Sequence, residues 1–297
     1  MFCLPSYLQR RFSRRLFILG VSLGVFFLPS LAGAENVRVV SLNPSLTSIL
    51  IALGSAEKIV GVDEYSARQM ESVASLPRVG GLFNPSVEGV LALDPDLVVL
   101  VPSVEQRGFR DRLVELGVRV EVFENITFDQ VLENIARLGA LTGQKKAAAE
   151  RVAEILRVRE AAFKKTAHQT PESVIVVLQR DPVFLVGGGN FIEEILTDLH
   201  VKNPASSFEE SYPRVAREWV IAQAPDVVID LSADSEDPLV FWSQWPSLPA
   251  VQKGQVIQMN ADLVSMPGPY LDQAILSLAQ VLYGAEVANE IRKGAER

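Results

Sequence analysis

The sequence is poor in the side chains that most often carry out chemistry. It contains one cysteine, Cys3, and two histidines, His168 and His200. One cysteine cannot form an internal disulfide, and two histidines at the ends of separate predicted helices offer neither a pair of zinc ligands nor the basis of a catalytic triad. A G-x-S-x-G nucleophile motif and a phosphate-binding G-x-x-x-x-G-K-[ST] motif are also missing. We therefore predict no metal site, no cofactor and no catalytic residue.

Acidic residues are absent from the first 34 positions, and this stretch has the features of an export signal. Four arginines between residues 10 and 15 precede the uncharged segment Leu16–Leu31, and Ala32-Gly33-Ala34 follows it. This order is typical of a secretory signal peptide, here 1–34, that is cleaved after Ala34. The segment Ser13–Leu19 (S-R-R-L-F-I-L) is similar to a twin-arginine signal. An uncleaved membrane anchor is the alternative interpretation.

Once residues 1–34 are removed, the remaining chain is strongly acidic. Of its 28 basic residues, 24 remain beside 36 acidic ones, which gives a net charge of −12. Such a charge argues against nucleic acid or an anionic membrane surface as a partner. The residues before the cleavage site are similar to a lipoprotein box in which alanine replaces the cysteine, so no lipid anchor is expected there. We expect a monomer that is soluble in the periplasm.

A stretch without glycine or proline lies in the middle of the chain. Lys145–Thr166 consists mainly of strong helix formers and predicts one helix of roughly 33 Å. An apolar stripe recurs along it at helical spacing and comprises Val152, Ile155, Leu156, Ala162 and Phe163. On both sides of this helix, short apolar strands alternate with amphipathic helices. This alternation predicts an α/β protein with two Rossmann-like lobes and mostly parallel sheets, at 35–144 and 167–297, joined by the helix 145–166.

The sequence on the two sides of the predicted helix contains an internal repeat. Glu88–Val99 (E-G-V-L-A-L-D-P-D-L-V-V) and Glu218–Ile229 (E-W-V-I-A-Q-A-P-D-V-V-I) align without a gap, 130 positions apart. In each copy a glutamate lies near the start of a predicted helix that is followed by Pro-Asp and a buried strand. A helix N-terminus favours an acid by about 0.3–1 kcal/mol, which is one explanation for either glutamate. Matched positions in both lobes favour a shared role instead.

Two further features lie in predicted loops. Gly187-Gly188-Gly189 joins a strand to a helix and lacks the later glycine of a dinucleotide fingerprint, so a tight turn is favoured over a phosphate cradle. The segment from Trp242 to Pro249 is also predicted to be a loop. Aromatic residues in loops of both lobes favour a large, flat, apolar ligand between the lobes. These residues are Tyr65, Phe83, Tyr212, Trp242 and Tyr270.

Four segments together carry a resemblance to a known protein family. They are V-V-S-L-N-P-S-L-T-S-I-L-I-A-L-G at 39–54, V-G-V-D at 60–63, V-G-G-L-F-N-P-S-V-E-G-V-L-A-L-D-P-D-L-V-V at 79–99 and G-G-G-N-F-I-E-E-I-L at 187–196. With them, the chain resembles the periplasmic substrate-binding proteins of ABC importers, in the branch that binds cobalamin, ferric siderophores and haem. The resemblance implies two α/β lobes, one long connecting helix, a stiff hinge and a shallow ligand cleft between the lobes.

The resemblance also implies where a bulky metal chelate would be bound. The positions that match the family's cleft are Asn43, Pro44, Ser45, Tyr65, Phe83 and Tyr212. Many relatives carry arginine in a late loop, where this sequence has M-P-G-P-Y and ends at Tyr270. Without that cation, a corrinoid is favoured over anionic chelates such as haem or a catecholate siderophore. A positive wall could still be restored by Arg180, Arg214 or Arg217.

A second implied role concerns the partner protein. In the resembling family, an exposed glutamate on each lobe pairs with arginines of the permease dimer, and Glu88 and Glu218 match those positions. The resemblance therefore implies a solute-binding protein that delivers its ligand to an ABC permease. A secreted enzyme or metal chelatase that reuses the fold is the alternative, since a fold does not fix a function.

Overall fold

Two β-sheets organise the computed structural model, which describes residues 36–82, 84–103, 107–169, 172–234 and 236–296. The N-terminal lobe contains the first sheet. Its elements are β1 (Val39–Ser41), α1 (Pro44–Ala52), β2 (Ile59–Val62), α2 (Glu64–Gln69), α3 (Val87–Leu91), β3 (Leu97–Leu100), α4 (Arg107–Glu115), β4 (Val120–Val122) and α5 (Phe128–Leu141). The strand order is β2-β1-β3-β4, and every pair in this sheet is parallel.

The C-terminal lobe follows the connecting helix α6 (Lys145–Thr166) and contains the second sheet. Its elements are β5 (Val174–Arg180), β6 (Val183–Leu185), α7 (Phe191–Asp198), β7 (Arg214–Val215), α8 (Arg217–Gln223), β8 (Val227–Asp230), α9 (Pro238–Trp242), α10 (Pro249–Gln252), β9 (Val256–Gln258), α11 (Ala261–Ser265), α12 (Leu271–Tyr283) and α13 (Ala285–Ala295). The strand order is β7-β6-β5-β8-β9. Strands β5, β8 and β9 are parallel, whereas β6 and β7 are added in antiparallel fashion. The predicted α/β class is confirmed, with this antiparallel edge as an addition.

Each sheet is covered on both faces, because successive residues of a strand point to opposite sides. In β3, Leu97 and Val99 face one core, and Val98 and Leu100 face another. The first of these cores is shared by both lobes. It also receives α1, α5, α6, α7 and α12, together with one face of β5 and β8. The second sheet has its own outer core, which α8, α9 and α10 cover.

The connecting helix spans the range that its sequence predicts, but its buried face differs from the predicted stripe. Ile155 and Ala162 are buried as expected, together with Val158. Leu156 and Phe163, which the sequence also assigns to the stripe, remain 43% and 49% exposed. The helix lies on the shared core and against α5, α12 and α13, so it does not bridge two separate bodies as a free rod. Its packing restricts how the lobes can move relative to each other.

The internal sequence repeat is also a repeat of structure. Strands β3 and β8 begin 130 positions apart, at Leu97 and Val227, and the glutamate-bearing helices α3 and α8 precede them. The residue before each Pro-Asp has a left-handed backbone, with φ of 44° at Asp94 and 48° at Ala224. The chain therefore changes direction at the same position in both copies, although α3 ends at Leu91 and α8 continues two positions further, to Gln223.

The aspartate of each Pro-Asp joins the repeat to the first strand of its lobe. The Asp96 carboxylate accepts the N–H of Arg38 at 2.8 Å, and the Asp226 carboxylate accepts the N–H of Ser173 at 3.0 Å. Arg38 and Ser173 immediately precede β1 and β5, and their carbonyl oxygens accept the N–H groups of the same two aspartates. This double contact sets the register of β3 on β1 and of β8 on β5.

The glycine triplet forms a tight turn, as predicted, because another segment packs directly on its backbone. A Cβ atom at Gly187 would lie 2.6 Å from Pro213 Cδ and still closer to the Glu210 carbonyl oxygen. The Gly187 N–H and the side-chain amide of Asn190 both donate to the Ser211 carbonyl, each at 2.9 Å. The turn therefore holds the loop that carries Tyr212.

Helices α5 and α7, from different lobes, meet where the shared core reaches the surface. The Phe191 N–H donates to the Ile126 carbonyl at 2.8 Å, and the Phe128 N–H donates to Glu194 Oε1 at 3.1 Å. These two contacts connect the first turn of each helix to the other lobe. They fix the separation of the lobes on this side.

Arg159 of the connecting helix lies at the centre of this junction. Its Nε is 2.5 Å from Asp198 Oδ2, and its two other nitrogens lie 3.6 Å from Glu194 and 4.0 Å from Asp129. The guanidinium also covers the ring of Phe128, with 4.1 Å to the ring centroid. One cation therefore neutralises three carboxylates that belong to both lobes.

Replacing Arg159 with alanine should lower the free energy of unfolding. The change leaves three carboxylates facing one another without a cation and uncovers the ring of Phe128. Because the side chain keeps 24% exposure, the loss should be roughly 1–3 kcal/mol, below the 3–5 kcal/mol typical of breaking a fully buried pair. Urea denaturation at pH 7 measures the difference.

The matched control is Arg112→Ala, which removes a guanidinium from an exposed pair with Glu115 on α4 and should cost less than about 0.5 kcal/mol. Adding Glu194→Gln and Asp198→Asn to Arg159→Ala should recover part of the loss, since fewer unpaired charges remain. Equal losses in the two arginine variants would contradict a special role for Arg159.

Gly187→Ala should destabilise the protein by about 1–3 kcal/mol, because the added methyl group overlaps the backbone of residues 210–213. The same displacement should raise the rate of amide hydrogen exchange in 208–213. Gly108→Ala on α4 is the control: its Cβ would meet nothing within 4 Å, and it should stabilise the helix by up to about 1 kcal/mol. Wild-type stability and exchange in Gly187→Ala would show that the loop does not depend on this contact.

Candidate functional site

Open α/β sheets bind their ligands at the carboxyl ends of the parallel strands, which in the first sheet lead into the segments of Asn43 and Tyr65. Gln69 of α2 in the N-terminal lobe contacts Asp262 of α11 in the C-terminal lobe, with 3.4 Å between Nε2 and Oδ1. Tyr65 is the second residue of α2 and not part of a loop, and the loop that ends at Tyr270 follows α11. The contact thus connects two tyrosine-bearing segments that are remote in the sequence.

The loop after β1 holds three of the predicted ligand contacts. Asn43 caps α1: its side-chain oxygen accepts the N–H of Ser45 at 3.0 Å and the Ser45 hydroxyl at 2.7 Å. Pro44 is the first residue of that helix, a position where the missing N–H is not needed. Ser45 is only 2% exposed, and Asn125 donates to its hydroxyl at 3.2 Å. The hydroxyl of Ser45 is thus used by the cap and by Asn125, whereas Asn43 and Pro44 stay partly exposed.

Tyr65 is placed by a buried aspartate at the end of β2. One Asp63 carboxylate oxygen accepts the N–H groups of Tyr65 and Ser66 at 2.8 and 3.0 Å, which caps α2. The Ser66 hydroxyl donates to the other oxygen and contacts the Thr47 hydroxyl. Tyr65 itself is 44% exposed, and the Arg68 guanidinium lies over its ring at 5.9 Å. One ring face therefore adjoins a cation that is paired with Glu64.

Tyr212 lies on the loop that packs on the glycine turn, in the C-terminal lobe. Its side chain is 40% exposed. Partial burial raises the pKa of the Tyr212 phenol above its ordinary value, so the hydroxyl is neutral at physiological pH. A neutral phenol on a rigid loop can stack on an apolar ligand and can donate a hydrogen bond.

Tyr270 immediately precedes α12 and is 42% exposed. Arg151 of the connecting helix donates from Nε to the Pro269 carbonyl at 2.6 Å, and its guanidinium is 5.8 Å from the Tyr270 ring centroid. The same guanidinium is paired with Asp272 and Glu154. A cation is therefore present behind the late loop, although the loop sequence lacks one, and two carboxylates neutralise it. The sequence carries no local signal for this contact, because Arg151 and Asp272 are 121 positions apart.

Trp242 does not line the cleft, which corrects the prediction. Its side chain is fully buried in the outer core of the C-terminal lobe, and its Nε1 donates to Asp230 Oδ2 at 3.0 Å. The residue ends helix α9, so the predicted loop begins one residue later than expected. Asp230 also accepts from Arg180 Nε at 3.0 Å and from the Ser232 hydroxyl at 2.6 Å. Arg180 is thus a buried partner of Asp230 and cannot form a positive wall for a ligand.

Phe83, the remaining predicted cleft aromatic, lies outside the residues that the structure describes, as does the segment 1–34. Among the described residues, no three His, Cys, Asp or Glu side chains are grouped so that they could hold a metal ion. None of the described helices has both the length and the apolar character that crossing a membrane requires.

Glu88 and Glu218 occupy equivalent and exposed positions. Each is the second residue of its helix, and the valine two residues later is buried in both copies. The Ser86 hydroxyl caps α3 by accepting from the Gly89 N–H at 3.0 Å and lies 3.4 Å from Glu88 Oε2. Within the described part of the chain, neither glutamate forms an ion pair. Both carboxylates are available to a partner.

Comparisons with known proteins agree with this architecture. The vitamin B12-binding protein of Vibrio parahaemolyticus is 29% identical over 87% of this chain and 94% of its own length. An uncharacterized ABC transporter substrate-binding lipoprotein of Bacillus subtilis is 28% identical, over 84% of this chain and 81% of its own. The crystal structure of a periplasmic haem-binding protein of Vibrio cholerae has the same fold, with a TM-score of 0.73 and 24% identity over 84% of this chain and all of that one.

The family model that describes periplasmic binding proteins matches residues 39–263, from the first strand to the helix before the Tyr270 loop. This match spans most of the chain and confirms the resemblance that the four sequence segments carry. On this basis, the chain belongs to the periplasmic binding protein family.

Proposed function

We propose that this protein captures a bulky metal chelate, a corrinoid first of all, and delivers it to the permease of an ABC importer. The observation that carries the proposal is the set of three tyrosines, Tyr65, Tyr212 and Tyr270, which are each 40–44% exposed and lie on three separate segments. Aromatic rings offer a large apolar area with little loss of side-chain freedom on binding. The capping and backbone contacts of their segments support a wall that is formed before the ligand arrives.

The charges near these tyrosines favour a ligand without an anionic rim. Arg68 is paired with Glu64, and Arg151 is paired with Asp272 and Glu154. A cation that already has an acidic partner gains less free energy when it pairs with a carboxylate of a ligand. Haem, with two propionates, and ferric siderophores are therefore the second candidates, and the fold shared with a haem-binding protein supports testing haem directly.

The relatives are binding proteins for transport. For this chain we propose, in addition, its location, the bounds of its lobes and the absence of turnover. It is exported, with cleavage after Ala34, and acts in the periplasm as a monomer. Its lobes comprise 35–144 and 167–297. It binds its ligand without turning it over, and a secreted enzyme or chelatase is the alternative that the first experiment separates.

Cyanocobalamin should bind the mature protein in a 1:1 complex that quenches tryptophan fluorescence and raises the melting temperature. The same titration is performed with haemin and with a catecholate and a hydroxamate ferric siderophore. No response to cyanocobalamin together with saturable binding of another chelate would overturn the corrinoid assignment. Conversion of any chelate in many-fold excess over the protein would favour the enzyme alternative.

Tyr65→Ala and Tyr212→Ala localise the binding site in the same titration. Each should weaken binding by about 1–2 kcal/mol if its ring stacks on the ligand. Leu156→Ala, which removes a comparably exposed apolar side chain from the connecting helix, is the control and should leave affinity unchanged. Unchanged affinity in both tyrosine variants would move the site away from these segments.

For the partner, we propose that Glu88 and Glu218 dock the two lobes on two equivalent basic patches of a permease dimer. The double variant Glu88→Arg with Glu218→Arg should bind the chelate normally and abolish its uptake by cells, because like charges then face each other. Docking of the unchanged protein should weaken with added salt.

The control for this variant is Glu150→Arg with Glu160→Arg, which makes the same change in charge on the exposed side of the connecting helix. It should support normal uptake. Normal uptake by the Glu88 and Glu218 variant, or loss of chelate binding in it, would remove the docking assignment.

A further inference from the structure

The two glutamate helices repeat each other in backbone and burial but differ in charge. The residues four positions before each glutamate are Asn84 and Arg214, and both are exposed. The residues directly before each glutamate are Val87 and Arg217. The N-terminal copy therefore presents a carboxylate with neutral residues at these positions, whereas the C-terminal copy has two additional guanidinium groups.

The two arginines of the C-terminal copy have different surroundings. Arg217 is paired with Asp181 at 3.2 Å, and its guanidinium lies over the ring of Phe241 at 5.8 Å. Arg214 lies on β7, the edge strand of the second sheet. In the part of the chain that the structure describes, its guanidinium forms neither an ion pair nor a hydrogen bond. One cation is thus already neutralised, and the other is available.

Arg214 and Glu218 line the same shallow depression, which has a volume of about 260 Å³. Arg217 and Asp181 line it as well and cancel each other's charge. The depression therefore presents one free cation beside one free carboxylate. A partner surface that is only basic would be repelled by Arg214 as much as it is attracted by Glu218.

We infer that the permease surface that meets this lobe carries an acidic side chain that pairs with Arg214, beside the basic group that pairs with Glu218. This inference rests on the proposed docking function. A permease dimer presents the same surface twice. The acid that meets Arg214 on one lobe must therefore have an equivalent on the other lobe, where it faces the neutral Asn84.

This arrangement predicts changes of opposite sign in two single variants. Arg214→Asn removes an ion pair and should raise the dissociation constant for the permease by about two- to fivefold, the range expected of an exposed pair. Asn84→Arg creates the missing pair and should lower the dissociation constant by a similar factor. A permease surface that is only basic would give the reverse in both cases.

The measurement uses the mature protein loaded with cyanocobalamin and the permease dimer whose deletion stops uptake of cyanocobalamin, reconstituted in nanodiscs. Biolayer interferometry gives the dissociation constant at 50, 150 and 400 mM NaCl. Lys146→Asn and Ala149→Arg, on the exposed side of the connecting helix, make the same changes in net charge and should leave binding unchanged. Chelate affinity and melting temperature should match the wild type in all four variants.

Tighter binding by Asn84→Arg together with weaker binding by Arg214→Asn supports the acidic group on the permease. The opposite signs, or no change in either variant, would overturn it. The double variant Glu88→Arg with Glu218→Arg is measured in parallel. If that variant binds the permease normally, the docking function itself fails. If it loses binding while Arg214→Asn and Asn84→Arg behave like the wild type, only the present inference fails.

Discussion

The guanidinium of Arg159 and the core beneath it hold the two lobes in one arrangement, and the cleft depends on that arrangement. Arg159 contacts carboxylates from α5 and α7, one helix from each lobe, and the same core runs under both sheets and under the connecting helix. A core packed to crystal-like density resists sliding, so a change in cleft width would require repacking of side chains from both lobes. The relative position of the two lobes is therefore largely determined by the fold itself.

Buried aspartates then position neighbouring segments at the ends of β2 and β8. Asp63 caps α2, whose second residue is Tyr65, and Asp230 binds Arg180, Trp242 and Ser232 at the end of β8. A buried carboxylate without partners is costly, so each is fully used in holding the protein together. These acids are consequently unavailable to a metal or a ligand. The three tyrosines, in contrast, keep a partly exposed aromatic surface.

The duplicated helices show how one architecture can carry two related surfaces. The left-handed residue before each Pro-Asp, and the aspartate that binds the preceding strand, are the same in both copies. These features determine the backbone, so Glu88 and Glu218 emerge at equivalent places. The neighbouring side chains do not affect the backbone and are free to differ, as Asn84 and Arg214 do. Twofold equivalence of position is thus compatible with two surfaces of unequal charge.

The sequence alone determined the elements whose causes are local. The connecting helix was predictable over Lys145–Thr166 because helix formers without glycine or proline act over neighbouring residues. The internal repeat and its two glutamates were also predictable, because the two segments align without a gap, 130 positions apart. Only the tertiary structure decided which of these side chains are buried. Trp242 is in the core because Asp230 and the outer helices enclose it, and Ser45 is used by a cap. Arg151 lies behind Tyr270 because folding brings residues 121 positions apart into contact. Burial and pairing depend on partners that are distant in sequence, and no local pattern specifies them.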